Sequence, residues 1–457
     1  MRQSKRIMLT AARMPDLGTT ALHYGDLRPA MGLGFLAAYA EQQGHEVAIR
    51  DNYCKPFDMH KEIEEFKPDI IGMYMHTPGY YAACDLIDEI KEATDAPLVV
   101  GGPHASLMPH NVPDKVDFIV TGEGEQILVD LAEGLRPQNK IIENAISGRI
   151  KNLDEYPFPD YKHFINMPYN WGFDMYGYEE KPIFSMHTSR SCPYRCTFCG
   201  VAAIWSRKWT CFSADRIVHE IDKYVREYGC KGIYFREDLF TTDLRRVERM
   251  CDLLLQKDYK IKWACEARAD ITSEPVLEKM AKSGCIGLYC GVESGSATGL
   301  IKKKKDLTLD TMRRFFALTK KVGINVYSTF CIGTPTETRD EIEQTFAFID
   351  EVKPFVFDKF AYLALPRSED YDYVAEHKIY YHKDSAGIMY TERFYELANE
   401  FFDPADQRLY FLNQQRKFLA ENRGKMREEE LASHRFPAMP QSRDVKSSTN
   451  NEFRLNV

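Results

Sequence analysis

Three cysteines, Cys192, Cys196 and Cys199, stand close together in the segment SCPYRCTFCG with the spacing CxxxCxxC. Thiolates are soft ligands that select zinc or iron–sulfur clusters. A closed [4Fe-4S] site takes four cysteines, so three would leave one iron without a protein thiolate and open to another ligand. The trio therefore predicts a metal centre, and its number of thiols favours an open iron–sulfur cluster.

Three other interpretations of the trio stay open. A structural zinc site would need a fourth Cys or His at a typical spacing, and none stands nearby. Simple burial of three small side chains is a second alternative, and a closed electron-transfer cluster completed by a distant cysteine is the third. The distant cysteines that could complete it are Cys211, Cys265, Cys290 and Cys331.

Most of the remaining cysteines, Cys84, Cys251 and Cys285 among them, fall within apolar segments. There a cysteine behaves as a small buried hydrophobe. A long chain without an export signal is also not expected to hold a disulfide framework. We therefore interpret these cysteines as packing residues.

The elements that must position the trio form a strand–helix series. Six strand patterns alternate with amphipathic helices, which predicts a partial (β/α)6 barrel. Such barrels place their chemistry at the carboxyl ends of the strands, and the trio follows the first strand directly. The predicted strands span residues 182–189, 232–238, 261–268, 286–294, 325–333 and 359–366.

An earlier strand–helix series predicts a doubly wound, Rossmann-like parallel sheet, whose ligands bind at the carboxyl ends of its strands. Two of those ends are rich in glycine, which lets a ligand approach the backbone, although either loop alone could be a tight turn. The predicted strands span residues 5–10, 46–51, 69–75, 97–102 and 117–122. The candidate ligand-edge residues are Gly101, Gly102, His104, Gly122, Glu123 and Gly124.

The chain of 457 residues is long enough for two or three domains. We predict a Rossmann-like domain over 1–140, a linker rich in proline and aromatics over 141–181, the barrel over 182–370, and a small helical region with a polar tail over 371–457. The predicted fold class is thus α/β.

Composition excludes several classes of protein. The net charge of −8 disfavours a nucleic-acid or anionic-membrane binder. No run reaches the ~18–20 apolar residues that a membrane span needs, and the amino terminus lacks the apolar core of a secretory signal. We expect a cytoplasmic protein with no membrane span and no nucleic-acid partner.

Several motifs together resemble one family. CxxxCxxC with an aromatic residue before the last cysteine is similar to the radical S-adenosylmethionine (SAM) superfamily. The words PAMGLGFLAAYAEQQGHEV, VVGGPHAS and TGEGE resemble its class with an N-terminal cobalamin (B12)-binding-type domain. The resemblance covers roughly residues 5–370 and implies a [4Fe-4S] cluster, SAM, cobalamin as a candidate third cofactor, and a small-molecule substrate. It also implies a reductant such as flavodoxin or ferredoxin.

In that family the open iron binds the amino and carboxylate groups of SAM. One electron from the cluster cleaves SAM to methionine and a 5′-deoxyadenosyl radical, which abstracts a substrate hydrogen. The resemblance assigns SAM-binding roles to residues at the ends of the barrel strands. These are Glu237 and Asp238 for the ammonium, Arg268 for the carboxylate with Glu266 beside it at the end of the third strand, Glu293 for the ribose or the ligand, and Gly333 in the adenine-side turn.

Each assignment has a structural alternative, such as a salt bridge for Arg268 or a helix N-terminal charge for Asp238. The charge run 302–305 is interpreted as a solvated loop. The first domain lacks the Asp-x-His-x-x-Gly motif that supplies a lower-axial histidine to cobalt, and His76 and His104 stand at the ligand edge without that context.

The predicted function is cobalamin-dependent C-methylation of a biosynthetic small molecule. The alternatives are cobalamin-independent dehydration, deoxygenation or oxidative cyclisation, and a non-enzymatic corrinoid or iron–sulfur sensor. Methylthiolation of tRNA would call for a basic RNA-binding module near the C-terminus, which this sequence lacks.

Overall fold

The computed structural model describes residues 3–12, 27–144, 150–173 and 176–391. These ranges form two six-stranded sheets, each made of parallel strands, and two small antiparallel pairs. Parallel strands follow from the strand–helix alternation, because each crossover returns the chain to the same edge of the sheet. The predicted α/β fold class, a doubly wound domain followed by a partial barrel, is confirmed.

The first sheet has the order β2-β1-β3-β4-β5-β6. The sequence predicts its first five strands to within one residue at either end, and it misses β6, whose three residues are too few to show a pattern. Strand β6 pairs with β5, so the first sheet continues past residue 140 into the predicted linker. The strands are β1 (Arg6–Ala11), β2 (Glu46–Asp51), β3 (Ile70–Tyr74), β4 (Leu98–Gly101), β5 (Phe118–Thr121) and β6 (Ile141–Glu143).

The second sheet has the order β7-β10-β11-β12-β13-β14, which is the open series of a partial barrel. Its strands are β7 (Ile183–Met186), β10 (Gly232–Phe235), β11 (Lys262–Ala267), β12 (Cys285–Gly291), β13 (Asn325–Ile332) and β14 (Val356–Ala361). Between β7 and β10 lies a short antiparallel pair, β8 (Ser189–Arg190) and β9 (Thr210–Cys211).

The prediction for the last barrel strand is wrong in position. The apolar run 359–366 suggests a strand there, but β14 begins at Val356 and ends at Ala361. As the edge strand of its sheet it carries charged residues, Asp358 and Lys359, which hide its start from a search for apolar runs.

The helices cover both faces of the first sheet and the outside of the barrel. Local signals fix their ends: Ser213 accepts a hydrogen bond from the Arg216 amide, and Gly229 closes the same helix with φ 63°. In the first half the helices are α1 (Met31–Gln42), α2 (Met59–Phe66), α3 (Tyr80–Ala93), α4 (Pro103–Leu107) and α5 (Glu125–Ala132). In the second half they are α6 (Val201–Trp205), α7 (Ala214–Tyr228), α8 (Leu244–Leu255), α9 (Glu274–Lys282), α10 (Ala297–Lys302), α11 (Leu309–Val322), α12 (Arg339–Val352) and α13 (Glu369–His377). None of these helices is long and apolar enough to cross a membrane.

The C-terminal region is only partly helical. In the helical region predicted over 371–457, helix α13 ends at His377, and residues beyond it form an antiparallel pair, β15 (Tyr380–Lys383) with β16 (Met389–Thr391). The rest of that predicted region, including its polar tail, lies outside the described residues.

One cluster of buried hydrophobic residues runs from the first sheet into the barrel. Aromatic residues of the predicted linker join the two halves. The ring of Tyr161 stacks on Phe184 of β7 with centroids 3.7 Å apart, and its hydroxyl donates to the carbonyl of Ser185 at 2.7 Å. The ring of Phe158 stacks on Phe212 at 4.1 Å. The linker is therefore part of the core.

Candidate functional site

The loop 191–200, here called the cysteine loop, leaves the barrel after β8 and is held by its first residue. Ser191 has φ 81°, and its amide donates to Asp238 Oδ2 at 2.9 Å. Asp238 follows β10, so the carboxyl end of the second barrel strand fixes the start of the loop. This contact gives Asp238 a structural role beside the SAM-binding role predicted for it.

The three thiols of the cysteine loop are half-buried and free. Burial raises the pKa of Cys199 to about 12, and the charges of Cys196, Asp238 and Cys192 raise it further. The three thiols therefore lie near enough to act on one another's ionisation. A thiol binds metal only after losing its proton, so binding of iron by this loop would release protons from these thiols.

Within the described ranges, no three His, Cys, Asp or Glu side chains are arranged to hold a single metal ion. A [4Fe-4S] cluster does not require that arrangement, because each thiolate binds a different iron. The donor set, three cysteines on one loop at the carboxyl ends of the barrel strands, fits a cluster with one open iron.

Arg268 lies beside the cysteine loop, and its guanidinium is engaged there. It stacks on the ring of Tyr194 at 3.7 Å from the centroid. Its Nε donates to Asp270 Oδ2 at 2.8 Å, and its Nη2 donates to the carbonyl of Asp306 at 2.8 Å. Arg268 therefore supports the loop from the side of β11, and its predicted contact with SAM remains a prediction.

The carboxylate of Glu237 makes hydrogen bonds and an ion pair within the fold. Its carboxylate accepts hydrogen bonds from the amides of Thr188 and Ser189, the latter at 2.6 Å, and pairs with Arg246 Nη2 at 3.4 Å. These contacts fix the chain between β7 and β8, just ahead of the cysteine loop. Glu237 thus positions the loop and also lines the adjoining cavity. Glu266 lines the same cavity and accepts from the Tyr234 hydroxyl at 2.7 Å.

The interpretation of residues 302–305 as a solvated charge run is wrong for two of its four lysines. Lys303 is only 1% exposed and pairs with Glu337, and Lys305 is 7% exposed with its Nζ 3.6 Å from Glu293. A charge run looks the same in sequence whether water or distant carboxylates surround it. Here the partner of Lys303 lies 34 residues further along the chain.

The two remaining SAM-site predictions, Glu293 and Gly333, are joined to these lysines. Glu293 has φ 69°, and its burial raises the pKa of its carboxyl. Gly333 has φ 84°, and its amide donates to Glu337 Oε2 at 2.5 Å. The ends of β12 and β13 are therefore bound together by the two buried lysines, which the sequence analysis missed.

Asp370 is a further residue that sequence reasoning missed. Its Oδ2 accepts from Thr197 Oγ1 at 3.0 Å, and its amide donates to the Thr197 carbonyl at 2.9 Å. Burial raises the pKa of the Asp370 carboxyl to about 6. The start of α13 thus holds the far side of the cysteine loop. Thr197 and Asp370 are too far apart in sequence for a local pattern to predict this contact.

The carboxyl ends of both sheets face one cavity of about 650 Å³. From the first sheet it is lined by Gly101, Gly102, Gly122, Glu123 and Gly124, as predicted for a ligand edge. From the barrel it is lined by residues at the ends of β7, β10 and β11, namely His187, Arg236, Glu237, Asp238 and Glu266. The ligand edge of the first domain and the carboxyl ends of three barrel strands therefore share one chamber, and the three cysteines are not among the residues that line it.

His104 does not line this cavity, unlike the other residues predicted for the ligand edge. Its side chain is fully buried, with Nδ1 3.2 Å from Thr77 Oγ1 and the ring 4.9 Å from that of Tyr80. Burial lowers its pKa to about 4. His104 is the second residue of α4 and its side chain is buried, so it packs within the fold, and its predicted ligand role remains a prediction.

Glu123 links the ligand edge to the cysteine loop. Arg190, two residues before Cys192, donates from Nη1 to Glu123 Oε1 at 2.9 Å and from Nη2 to Glu125 Oε1 at 2.5 Å. The second oxygen of Glu123 accepts from the amide of Ile150. We call this buried group the Arg190 clamp, since it fixes the two edges of the cavity to each other.

His76 lines the cavity just beyond β3. Its ring is nearly parallel to that of Tyr74, with centroids 5.7 Å apart, and meets the ring of Tyr53 edge-on at 5.9 Å. Burial lowers the pKa of His76 to about 4. The imidazole is therefore neutral at physiological pH.

Glycines shape the backbone around the cavity. Gly102 has φ 98°, and a Cβ there would lie 2.9 Å from the carbonyl oxygen of Met75. Gly122 has φ 77°, which also favours glycine. A Cβ on Gly32 would meet nothing within 4 Å, so Gly32 leaves open backbone beside the cavity that it lines, at the strand ends where a doubly wound sheet binds its ligands.

Comparison with protein families identifies two regions. A family model described as the B12 binding domain matches residues 20–132, and one described as the radical SAM superfamily matches residues 186–349.

Two relatives extend across most of the chain. An uncharacterised methyltransferase of Pyrococcus horikoshii is 30% identical over 71% of this chain and 73% of its own length. The anaerobic magnesium-protoporphyrin IX monomethyl ester cyclase of Rubrivivax gelatinosus is 23% identical over 75% of this chain and 65% of its own.

Two solved structures share the fold. The cobalamin-dependent SAM radical enzyme OxsB with aqua-cobalamin bound superposes with a TM-score of 0.70 at 17% identity, covering 94% of this chain and 75% of that one. The radical SAM methyltransferase TsrM from Kitasatospora setae, with tryptophan and a SAM analogue bound, gives 0.66 at 18% identity, covering 82% and 76%.

Proposed function

Because the chain belongs to the radical SAM superfamily, in the class that carries a B12-binding domain, we propose that it is a cobalamin-dependent methyltransferase acting on carbon of a small molecule. The observation that carries the proposal is the cavity that the ligand edge of the first sheet shares with the carboxyl ends of three barrel strands. A substrate that is served by both a methyl carrier and a radical generator would need such a shared chamber.

The residues of the chain divide the work between them. Cys192, Cys196 and Cys199 would hold the cluster, which when bound would supply the electron that splits SAM. Arg268 and Asp238 keep the cysteine loop in place through Tyr194 and Ser191.

The Arg190 clamp holds the ligand edge against the cysteine loop. When the chamber is filled by its cofactors and substrate, it excludes water from the radical.

Two relatives favour a second candidate function of the same class. The Rubrivivax gelatinosus relative, at 23% identity, is named a cyclase, and the 4′-phospho-dehydrooxetanocin synthase of Priestia megaterium, at 27%, is named a synthase rather than a methyltransferase. Hopanoid C-3 and C-2 methylases and a cytidylyl-2-hydroxyethylphosphonate methyltransferase match at similar identity. Methyl transfer is preferred because the relative with the highest of these identities is named a methyltransferase.

The first experiment tests the cluster. Anaerobically purified protein should be brown and hold about four irons per chain. Replacing any one of Cys192, Cys196 and Cys199 with alanine should remove the iron, whereas Cys84→Ala, in helix α3 of the first domain, should retain it. Full iron content in the Cys196→Ala protein would overturn the assignment of the trio.

The second experiment separates methyl transfer from ring chemistry. Protein loaded with cobalamin and a low-potential reductant, such as flavodoxin or ferredoxin, is given SAM in a single turnover. A methyltransferase should release one S-adenosylhomocysteine per bound corrinoid, because the corrinoid takes the methyl group from SAM. A ring-forming enzyme should release 5′-deoxyadenosine alone, and a sensor should release neither product.

A further inference from the structure

His76 stands where a doubly wound sheet of this strand order binds its ligands. In the order β2-β1-β3-β4-β5-β6 the direction of winding reverses between β1 and β3, and ligands bind beside that switch point. His76 follows β3 directly and lines the cavity. Its position is therefore set by the topology of the sheet.

The ring of His76 is held on three sides. Tyr74 stacks on it, Tyr53 meets it edge-on, and the backbone of Gly79 lies beneath its edge. A Cβ on Gly79 would stand 2.6 Å from His76 Cε1, so glycine at this position makes room for the imidazole. Such packing fixes the orientation of a side chain before any ligand arrives.

The direction from which His76 reaches the cavity decides which face of a corrin it can meet. A corrin bound at this edge has one face towards the first sheet and the other towards the barrel, where the cysteine loop lies. His76 belongs to the sheet side. His187, the other histidine that lines the cavity in the described part of the chain, ends β7 and belongs to the barrel side.

We propose that His76 is the lower axial ligand of the cobalt in bound cobalamin, supplied from the end of β3 rather than from an Asp-x-His-x-x-Gly motif. The inference rests on the proposed function, since it needs cobalamin in the chamber. Imidazole nitrogen is the commonest metal ligand in proteins. The new bond is a dative Co–N bond from the imidazole lone pair, and it displaces the cofactor's own dimethylbenzimidazole with no change in oxidation state.

One consequence concerns the redox balance of the cofactor. Co(I) carries no axial ligand, so a nitrogen bound below the ring stabilises Co(II) and Co(III) relative to Co(I). Removing His76 should therefore raise the Co(II)/Co(I) midpoint potential, making the corrinoid easier to reduce.

The test uses full-length protein reconstituted with cluster and hydroxocobalamin, then reduced to the Co(II) state. Protein is prepared with natural histidine and with ¹⁵N-labelled histidine, and both samples are examined by EPR. We expect the cobalt hyperfine lines to show a triplet from ¹⁴N and a doublet from ¹⁵N. A triplet that survives labelling would identify dimethylbenzimidazole as the ligand, and absence of splitting would mean that no nitrogen binds; either result overturns the proposal.

Variants give an independent measurement. His76→Phe keeps an aromatic ring without a donor, and His76→Ala opens the position to added imidazole. Both should lose the ¹⁵N-histidine doublet, imidazole should restore nitrogen splitting in His76→Ala, and the control His187→Gln should keep the doublet. A doublet that persists in His76→Phe would overturn the assignment.

The same samples keep the inference separate from the proposed function. Corrinoid content, measured by absorption after removal of the cluster, reports whether cobalamin binds at all. Wild-type protein that takes up no corrinoid would refute the cobalamin-dependent function and the inference together. Wild-type protein that binds corrinoid without histidine coupling would refute the inference alone.

Discussion

The Arg190 clamp allows a quantitative prediction. Arg190 is replaced by methionine, which keeps much of the volume of the side chain and removes its charge. Glu123 and Glu125, 3% and 6% exposed, then lose the cation that faces both of them. Burial of a carboxylate without a partner costs free energy, because the charged form loses its hydration and gains no compensating ion pair.

The expected loss of unfolding free energy is about 3 kcal/mol. Breaking a buried pair by removing one partner costs about 3–5 kcal/mol. The lower end applies here, because each carboxylate keeps some support. Glu123 still accepts from the amide of Ile150, and Glu125 begins helix α5, where the helix dipole favours a negative charge.

The assay is urea unfolding of proteins with equal cofactor content, monitored by circular dichroism. Arg339→Met is the matched control, because the Arg339–Glu343 pair on α12 is more than half exposed, and its loss should cost no more than about 0.5 kcal/mol. The triple variant Arg190→Met, Glu123→Gln, Glu125→Gln should recover at least half of the loss.

Two results would refute this reasoning. The first is an Arg190→Met protein as stable as the control variant. The second is a triple variant no more stable than the single one, since that would place the cost in lost packing rather than in unpaired charge.

Three further predictions concern backbone and pH. Gly102→Ala should destabilise the protein by about 3 kcal/mol in thermal unfolding, more than Gly44→Ala, because both have positive φ (98° and 91°) but only at Gly102 would a Cβ lie 2.9 Å from a backbone oxygen. Burial raises the pKa of Asp370 from 3.8 to about 6, so the unfolding free energy of the wild-type protein should fall as pH rises through that window. Asp370→Asn should therefore be more stable than wild type at pH 8, by at most about 3 kcal/mol, and the difference should shrink at pH 5. Tyr169→Phe should lower the unfolding free energy by about 1–3 kcal/mol, because the Tyr169 hydroxyl donates to buried Asp51 at 2.5 Å. This loss should grow as pH rises, since removing that donor raises the pKa of Asp51 further. An equal loss at pH 5 and pH 8 would contradict this.

Much of the fold was predictable because its strands are buried on both faces. Strand β10, GIYF, is buried throughout, so its apolar run is visible in sequence. The strands that escaped prediction lack that property. Strand β6 has three residues, and the edge strand β14 mixes charged and apolar side chains.

The site divides in the same way. The cysteine trio is local, and its spacing alone predicts a metal centre. What holds the trio is not local: Asp370, Lys303 and Arg190 meet partners 173, 34 and 67 residues away. A single sequence carries no signal for such pairs, since a buried lysine and a solvated one have the same letter. Glu237 and His104, predicted at the ligand edges, also make contacts within the fold that the sequence did not show, and their predicted ligand roles remain predictions.

The continuous core that passes through the linker aromatics has a consequence for how the enzyme moves. Domains joined by a thin polar interface can hinge, whereas a large apolar interface couples them. Because Tyr161 packs against β7, the ligand edge of the first sheet and the cysteine loop cannot move apart without disrupting the core. The walls of the chamber are therefore rigid, and entry and release of substrate depend on movement of the loops at its rim. Limited proteolysis should accordingly find no stable half-molecule.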